Sequence, residues 1–165
     1  MRILVTGGAG YIGSVVTEQL VNDGHQVVVY DSLYKGHRAA IVDGAAFIQA
    51  ELSDNGTLRR TLREHRVEAV MHMAADSLVG ESIVAPEKYY QNNVATGLTL
   101  LEAMRECSVD RLVFSSTAAV FGEPEKQPKK KMTRLVRQIR TVNRSSHSRK
   151  LFAGLSSHMD CDMSR

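Results

Sequence analysis

At 165 residues, 43% hydrophobic and 24% charged, the chain has the length and composition of a single soluble globular domain, which excludes collagen-like, disordered and membrane-spanning classes. No apolar run approaches the roughly 20 residues of a membrane-spanning helix. Cys107 and Cys161 offer neither metal spacing nor a disulfide framework, and Arg2-Ile3-Leu4-Val5 has no signal-peptide organisation, so the chain reads as reduced and cytoplasmic, with no membrane partner. The net charge of +3 is unevenly spread: residues 1–128 carry 11 Lys/Arg against 16 Asp/Glu, whereas residues 129–165 carry 10 against 2. The expected organisation is a folded domain over residues 1–128 and a tail of different character over residues 129–165.

Residues 2–6 form a short aliphatic run ending in glycines, the pattern of a buried strand entering a tight turn. A helix should follow from Tyr11 to about Asn22, closed by Gly24. Residues 26–31 (QVVVYD) are a second strand and residues 46–50 a weaker third. Asp54 can cap a helix carrying Leu58 and Leu62, and residues 68–73 (EAVMHM) are a fourth strand. From Pro86 to about Glu106, apolar Tyr90, Val94, Leu98, Leu101 and Met104 recur at helical spacing, which predicts one long amphipathic helix. Residues 110–116 (DRLVFSS) are a fifth strand. Nearly all-apolar strands alternating with helices predict an α/β fold: a doubly wound parallel sheet, strand order 3-2-1-4-5.

Gly7-Gly8-Ala9-Gly10-Tyr11-Ile12-Gly13 joins the first strand to the first helix, the context in which a glycine pattern reads as a dinucleotide site. Gly7 permits the turn, Gly10 lets a pyrophosphate approach the backbone, and Gly13 lets helix and strand pack closely. The helix amides then face the phosphates. Asp31 ends the second strand, where its carboxylate can accept from both adenosine ribose hydroxyls; a 2′-phosphate would meet its charge, so NAD is expected over NADP. Lys35 and Arg38 are the nearby basic residues to which a 2′-phosphate could turn, and an Asp at this place can also cap the next turn.

On these residues the chain resembles the UDP-glucose 4-epimerases of the extended short-chain dehydrogenase/reductase family. The matching pieces are MRILVTGGAGYIGS, VVYDSL, HMAADSLVGES, PEKYYQNNVATGLTLLEAM and RLVFSSTAAVFGEPEKQP, together spanning residues 1–128. VGES followed by YYxNN is the most specific. The resemblance implies NAD as cofactor, a UDP-sugar substrate and a homodimer formed through the helix around residues 94–101. It implies that Tyr11 and Ile12 offer amides to the pyrophosphate and that Asp31 holds the ribose. Glu51 and Leu52 stand in the place of an adenine-contacting Asp-Ile pair, Ala74 and Ala75 pass beneath the nicotinamide half, and Asn92 supplies a cofactor-side amide.

Thr117 matches the family's Ser/Thr that hydrogen-bonds the hydroxyl losing its proton. Ala118 and Ala119 follow it, where related 4,6-dehydratases carry Asp-Glu, so water elimination is disfavoured. Asp76-Ser77 and Phe121 depart from the commoner family residues. The implied reaction passes hydride from sugar C4 to NAD and back to the other face, with a Tyr phenol as base and a Lys four residues on to lower its pKa. No tyrosine of this sequence has Lys at that spacing. The expectation is therefore a chain that binds NAD weakly or not at all and lacks measurable epimerase turnover.

Residues 129–165 read first as a basic tail suited to nucleic acid, but Phe152 is their single aromatic and no stacking pattern exists, so no specific nucleic-acid partner is expected. The genetic code supports another origin. Joining the last base of each codon to the first two of the next, Met132-Thr133 must give Asp, Met159-Asp160 must give Gly, and Asp160-Cys161 must give Leu. Permitted codons elsewhere spell EEDDPTRPTNPYGESKLAFE from Lys129 and YGLRY near the end, which resembles the family's own continuation. Its Tyr codon spans Arg140 and Thr141 and its Lys codon Arg144 and Ser145. One lost base between Pro128 and Met132 suffices, and the tail is then expected to have no evolved fold. The alternative readings are a genuine non-catalytic NAD-binding module and, behind it, a basic-tailed nucleic-acid binder.

Overall fold

The computed structural model describes residues 1–116; the expectations for Thr117, Ala118, Ala119, Phe121 and residues 129–165 lie outside them. The aliphatic runs become five parallel strands: β1 (Arg2–Thr6), β2 (Gln26–Asp31), β3 (Ala46–Gln49), β4 (Ala69–His72) and β5 (Arg111–Phe114). They lie in the order β3-β2-β1-β4-β5, as the alternation predicts. The register pairs Thr6 with Tyr30 and with His72, Asp31 with Gln49, and His72 with Phe114, so these residues share the carboxyl edge of the sheet.

Helices α1 (Tyr11–Asn22), α2 (Asn55–Glu64) and α5 (Thr96–Glu106) cover the sheet; the short α3 (Val79–Val84) and α4 (Pro86–Tyr90) precede the last. Alternation along the strands sends Leu4, Val28, Tyr30 and Val70 into one core with Leu58 and Leu62 of α2 and Leu100, Ala103 and Met104 of α5. Ile3, Val5 and Val27 point the other way and meet Leu20 and Val21 of α1. Asp54 caps α2, its Oδ1 accepting from the Thr57 amide at 3.0 Å, and this bond holds its carboxyl below the usual range. Arg59 of α2 and Glu106 of α5 form an ion pair between the two helices.

The long helix expected over residues 86–106 is interrupted. Between α4 and α5, residues Gln91–Ala95 form a π turn, which shifts the buried stripe. Tyr89, Gly97, Leu100, Ala103 and Met104 are buried, whereas Tyr90 and Leu98 of the expected stripe are 49% and 45% exposed. Two compact units are distinguishable: residues 1–75 with 95–115, which hold the sheet, and a second containing residues 76–94. Among the described residues no helix is long and apolar enough to cross a membrane, and no cluster of potential metal ligands exists.

Candidate nucleotide site

The glycine loop leaves β1 at the sheet's carboxyl edge, and its shape depends on missing side chains. Gly7 has φ +72° and sits so close to β4's exit that an added Cβ would lie 2.6 Å from the Ala74 amide nitrogen. At Gly13 the same atom would meet the Gly7 carbonyl oxygen at 2.1 Å, so α1 rests directly on the loop. Gly10 is less confined, its nearest neighbour being that carbonyl oxygen at 3.3 Å. Gly10 caps α1 without a side-chain bond, and the first turn carries no acidic residue. The amides of Tyr11, Ile12 and Gly13 have no carbonyl four residues back within the helix, leaving a positive terminus suited to phosphate. The side chains of Tyr11 and Ile12 are exposed.

Asp31 serves two backbone groups at once. Its Oδ2 accepts from the Ala9 amide at 3.0 Å and its Oδ1 from Leu33 at 2.8 Å, so the carboxylate braces the glycine loop and shapes the following turn. The capping role is thus real, and it leaves each carboxylate oxygen a second lone pair for a further donor. Arg38 is engaged elsewhere: its guanidinium donates to Gln49 Oε1 at 2.8 Å and lies 5.2 Å from the Phe47 ring centre.

Beyond β3 the chain turns through Glu51 and Leu52. Glu51 is exposed, and Leu52 packs partly against the core. Its carbonyl accepting both the Tyr30 hydroxyl at 3.1 Å and the Asp54 amide at 3.0 Å, Glu51 is fixed by its backbone. Ala74 is half-buried and Ala75 exposed where the chain leaves β4. The structure therefore gathers Gly7, Gly10, Tyr11, Ile12, Gly13, Asp31, Glu51, Leu52, Ala74 and Ala75 in the unit that holds the sheet, on segments leaving the carboxyl ends of its strands. That edge, beside the switch between β1 and β4, is where open α/β sheets bind ligands.

Asn92 belongs to the other unit, where its Nδ2 donates to buried Asp76 at 2.6 Å. Asn93 clasps the same residue by its backbone, accepting from the Asp76 amide and donating to its carbonyl, each at 2.8 Å. A π turn rotates less per residue than an α turn, which lets adjacent side chains serve one target. Glu81 in turn accepts from Tyr89 at 2.7 Å and pairs with Lys88 at 2.5 Å. Burial, then Glu81, pushes the Tyr89 phenol up to about 12. DSLVGES and YYQNN are thus two halves of one hydrogen-bonded unit.

Two residues at the carboxyl edge escaped the sequence reading. Tyr30 is the first; its only signal is a phenol inside an otherwise aliphatic strand, where a buried hydroxyl must find a partner. The second is His72, whose Nδ1 is 2.7 Å from Thr6 Oγ1 and whose ring stacks on Phe114.

Residues 3–146 match the model of the NAD-dependent epimerase/dehydratase family. The chain belongs to that family. Over 128 residues it is 49% identical to the UDP-glucose 4-epimerase of Lactobacillus helveticus, covering 78% of this chain and 39% of that protein. The Streptomyces lividans UDP-glucose 4-epimerase is 52% identical over 128 residues, 77% of this chain and 39% of the relative. Among solved structures, Brucella ovis UDP-glucose 4-epimerase in complex with NAD superposes with a TM-score of 0.88 at 33% identity, covering 94% of this chain and 48% of that one. This family member accordingly spans well under half of each curated relative.

Proposed function

We propose that this chain is the nucleotide-binding half of a UDP-hexose 4-epimerase, with NAD as cofactor and a UDP-sugar as substrate of the complete enzyme. The observation that carries the reading is the glycine loop pressed between Ala74 and α1 with Asp31 bridging its amide, a cradle in which added side chains at Gly7 and Gly13 have no room. Bound NAD supplies the hydride acceptor and donor for sugar C4. The first-turn amides of Tyr11 and Ile12 hold the pyrophosphate, Asp31 the adenosine ribose, and Glu51 with Leu52 the adenine. Ala74 and Ala75 underlie the nicotinamide half, the Asn92 side-chain amide serves the cofactor as the resemblance implies, and the Thr117 hydroxyl orients the sugar hydroxyl. Engagement of Arg38 by Gln49 and Phe47 favours NAD over a 2′-phosphorylated cofactor.

Turnover needs a base, and we assign it to residues this chain lacks in its present reading frame. The matches to the L. helveticus and S. lividans enzymes cover 78% and 77% of this chain, and the charge of the chain reverses after Pro128. Residues 129–165 are read as the frame-shifted continuation of the epimerase. Resequencing the gene across codons 128–132 tests this: one additional base restores Tyr-x-x-x-Lys and a longer enzyme, whereas its true absence leaves a cytoplasmic NAD-domain fragment. The purified 165-residue chain is expected to bind NAD weakly and to show no UDP-glucose/UDP-galactose interconversion; ordinary turnover refutes this reading.

A further inference from the structure

We infer that Tyr30 is a positioning residue for the adenine end of the site, its hydroxyl fixing the Glu51–Leu52 backbone relative to the ribose carboxylate of Asp31; the inference rests on the NAD reading above. Tyr30 is 1% exposed and immediately precedes Asp31 at the end of β2. Adjacent strand residues face opposite sides of a sheet. Asp31 accordingly turns to the glycine loop while the Tyr30 ring enters the core under α2 and α5.

From there its hydroxyl donates to the Glu51 carbonyl at 3.1 Å. The same carbonyl accepts the Asp54 amide at 3.0 Å, and the Asp31 carbonyl accepts the Ala50 amide at 3.3 Å. β3 ends at Gln49, so beyond it ladder pairing no longer sets the path of the chain. The segment that faces the base is thereby tied, through two consecutive residues of β2, to the carboxylate that faces the sugar. Burial first, then the charges of Asp54 and Glu51, pushes the phenol up to about 12, so the hydroxyl stays a donor throughout the working pH range.

Tyr30→Phe in the 165-residue chain removes only the hydroxyl and keeps the ring in the core. Ligand-observed NMR titrations with AMP and with IMP, which differ only in the base edge, read the effect. For AMP the affinity should fall about three- to tenfold, the range for one neutral hydrogen bond. IMP affinity should fall less, so that the AMP/IMP preference narrows. Val67→Ala, a truncation within the same core cluster, controls for lost stability and should leave the preference unchanged. Equal preferences in Tyr30→Phe and the parent chain overturn the positioning role. A parent chain that binds neither AMP nor NAD overturns the NAD reading itself, and the role of Tyr30 with it.

Discussion

Gly13→Ala should abolish nucleotide binding and destabilise the domain by about 3 kcal/mol, at the upper end of ordinary overpacking. The new methyl would meet the Gly7 carbonyl oxygen at 2.1 Å and the Gly8 Cα at 2.8 Å, both main-chain atoms with no rotamer to change. Gly7 cannot yield, because it is held at φ +72° with Ala74 behind it. The helix must back away instead, taking the first-turn amides with it. Gly10→Ala is the informative contrast. Its methyl would have only the Gly7 carbonyl oxygen nearby, at 3.3 Å, so the fold absorbs it with a small shift. On the proposed reading, the same methyl stands where the pyrophosphate approaches. Chemical denaturation with parallel AMP titrations should find both properties lost in Gly13→Ala and only binding lost in Gly10→Ala. Wild-type stability in Gly13→Ala would refute the packing argument.

Strand positions and sheet order were legible because each strand is a nearly pure aliphatic run between breakers, and a doubly covered parallel sheet demands that pattern. The tight path of the glycine loop was legible for a related reason: Gly7 and Gly13 lie within one short segment, and each answers a local backbone demand. What escaped notice depends on partners far apart. The Thr6–His72 bond and the Tyr30–Glu51 bond join residues separated by 66 and 21 positions, and nothing local marks either pair.

The long helix shows the same limit in another form. Apolar spacing alone fits a continuous α-helix through residues 86–106, but Asn92 and Asn93 both serve Asp76, and the π turn that permits this rotates the remaining stripe. Small Gly97 and Ala103 then join Leu100 and Met104 as its buried residues, positions a hydrophobicity count undervalues. Tyr90 and Leu98 are left facing outward in consequence.

Acid should unfold this domain through one buried side chain. His72 is 2% exposed at the end of β4, and burial depresses its ring from 6.5 to about 4. The folded state therefore keeps the imidazole neutral while the unfolded chain begins to protonate near its ordinary value. Stability is full above about pH 6.5, falls as pH drops toward 4, and is then flat with respect to this group. At about 1.4 kcal/mol per pH unit, the loss approaches 3 kcal/mol across the window, and about 2 kcal/mol is gone by pH 5. Glu68, held below its usual range chiefly by the Arg2 amide, adds its own loss only at lower pH. His72→Asn keeps a polar atom near Thr6 Oγ1 but cannot titrate. Urea midpoints at pH 7 and pH 5 should separate widely in the parent chain and converge in His72→Asn. A parent chain equally stable at both values would mean that the imidazole is protonated inside the fold, with a counter-charge beside it. Because Thr6 and His72 adjoin Gly7 and Met73, whose amides bond Tyr30 and Thr6, the strand ends that shape the nucleotide loop are the first to feel that protonation.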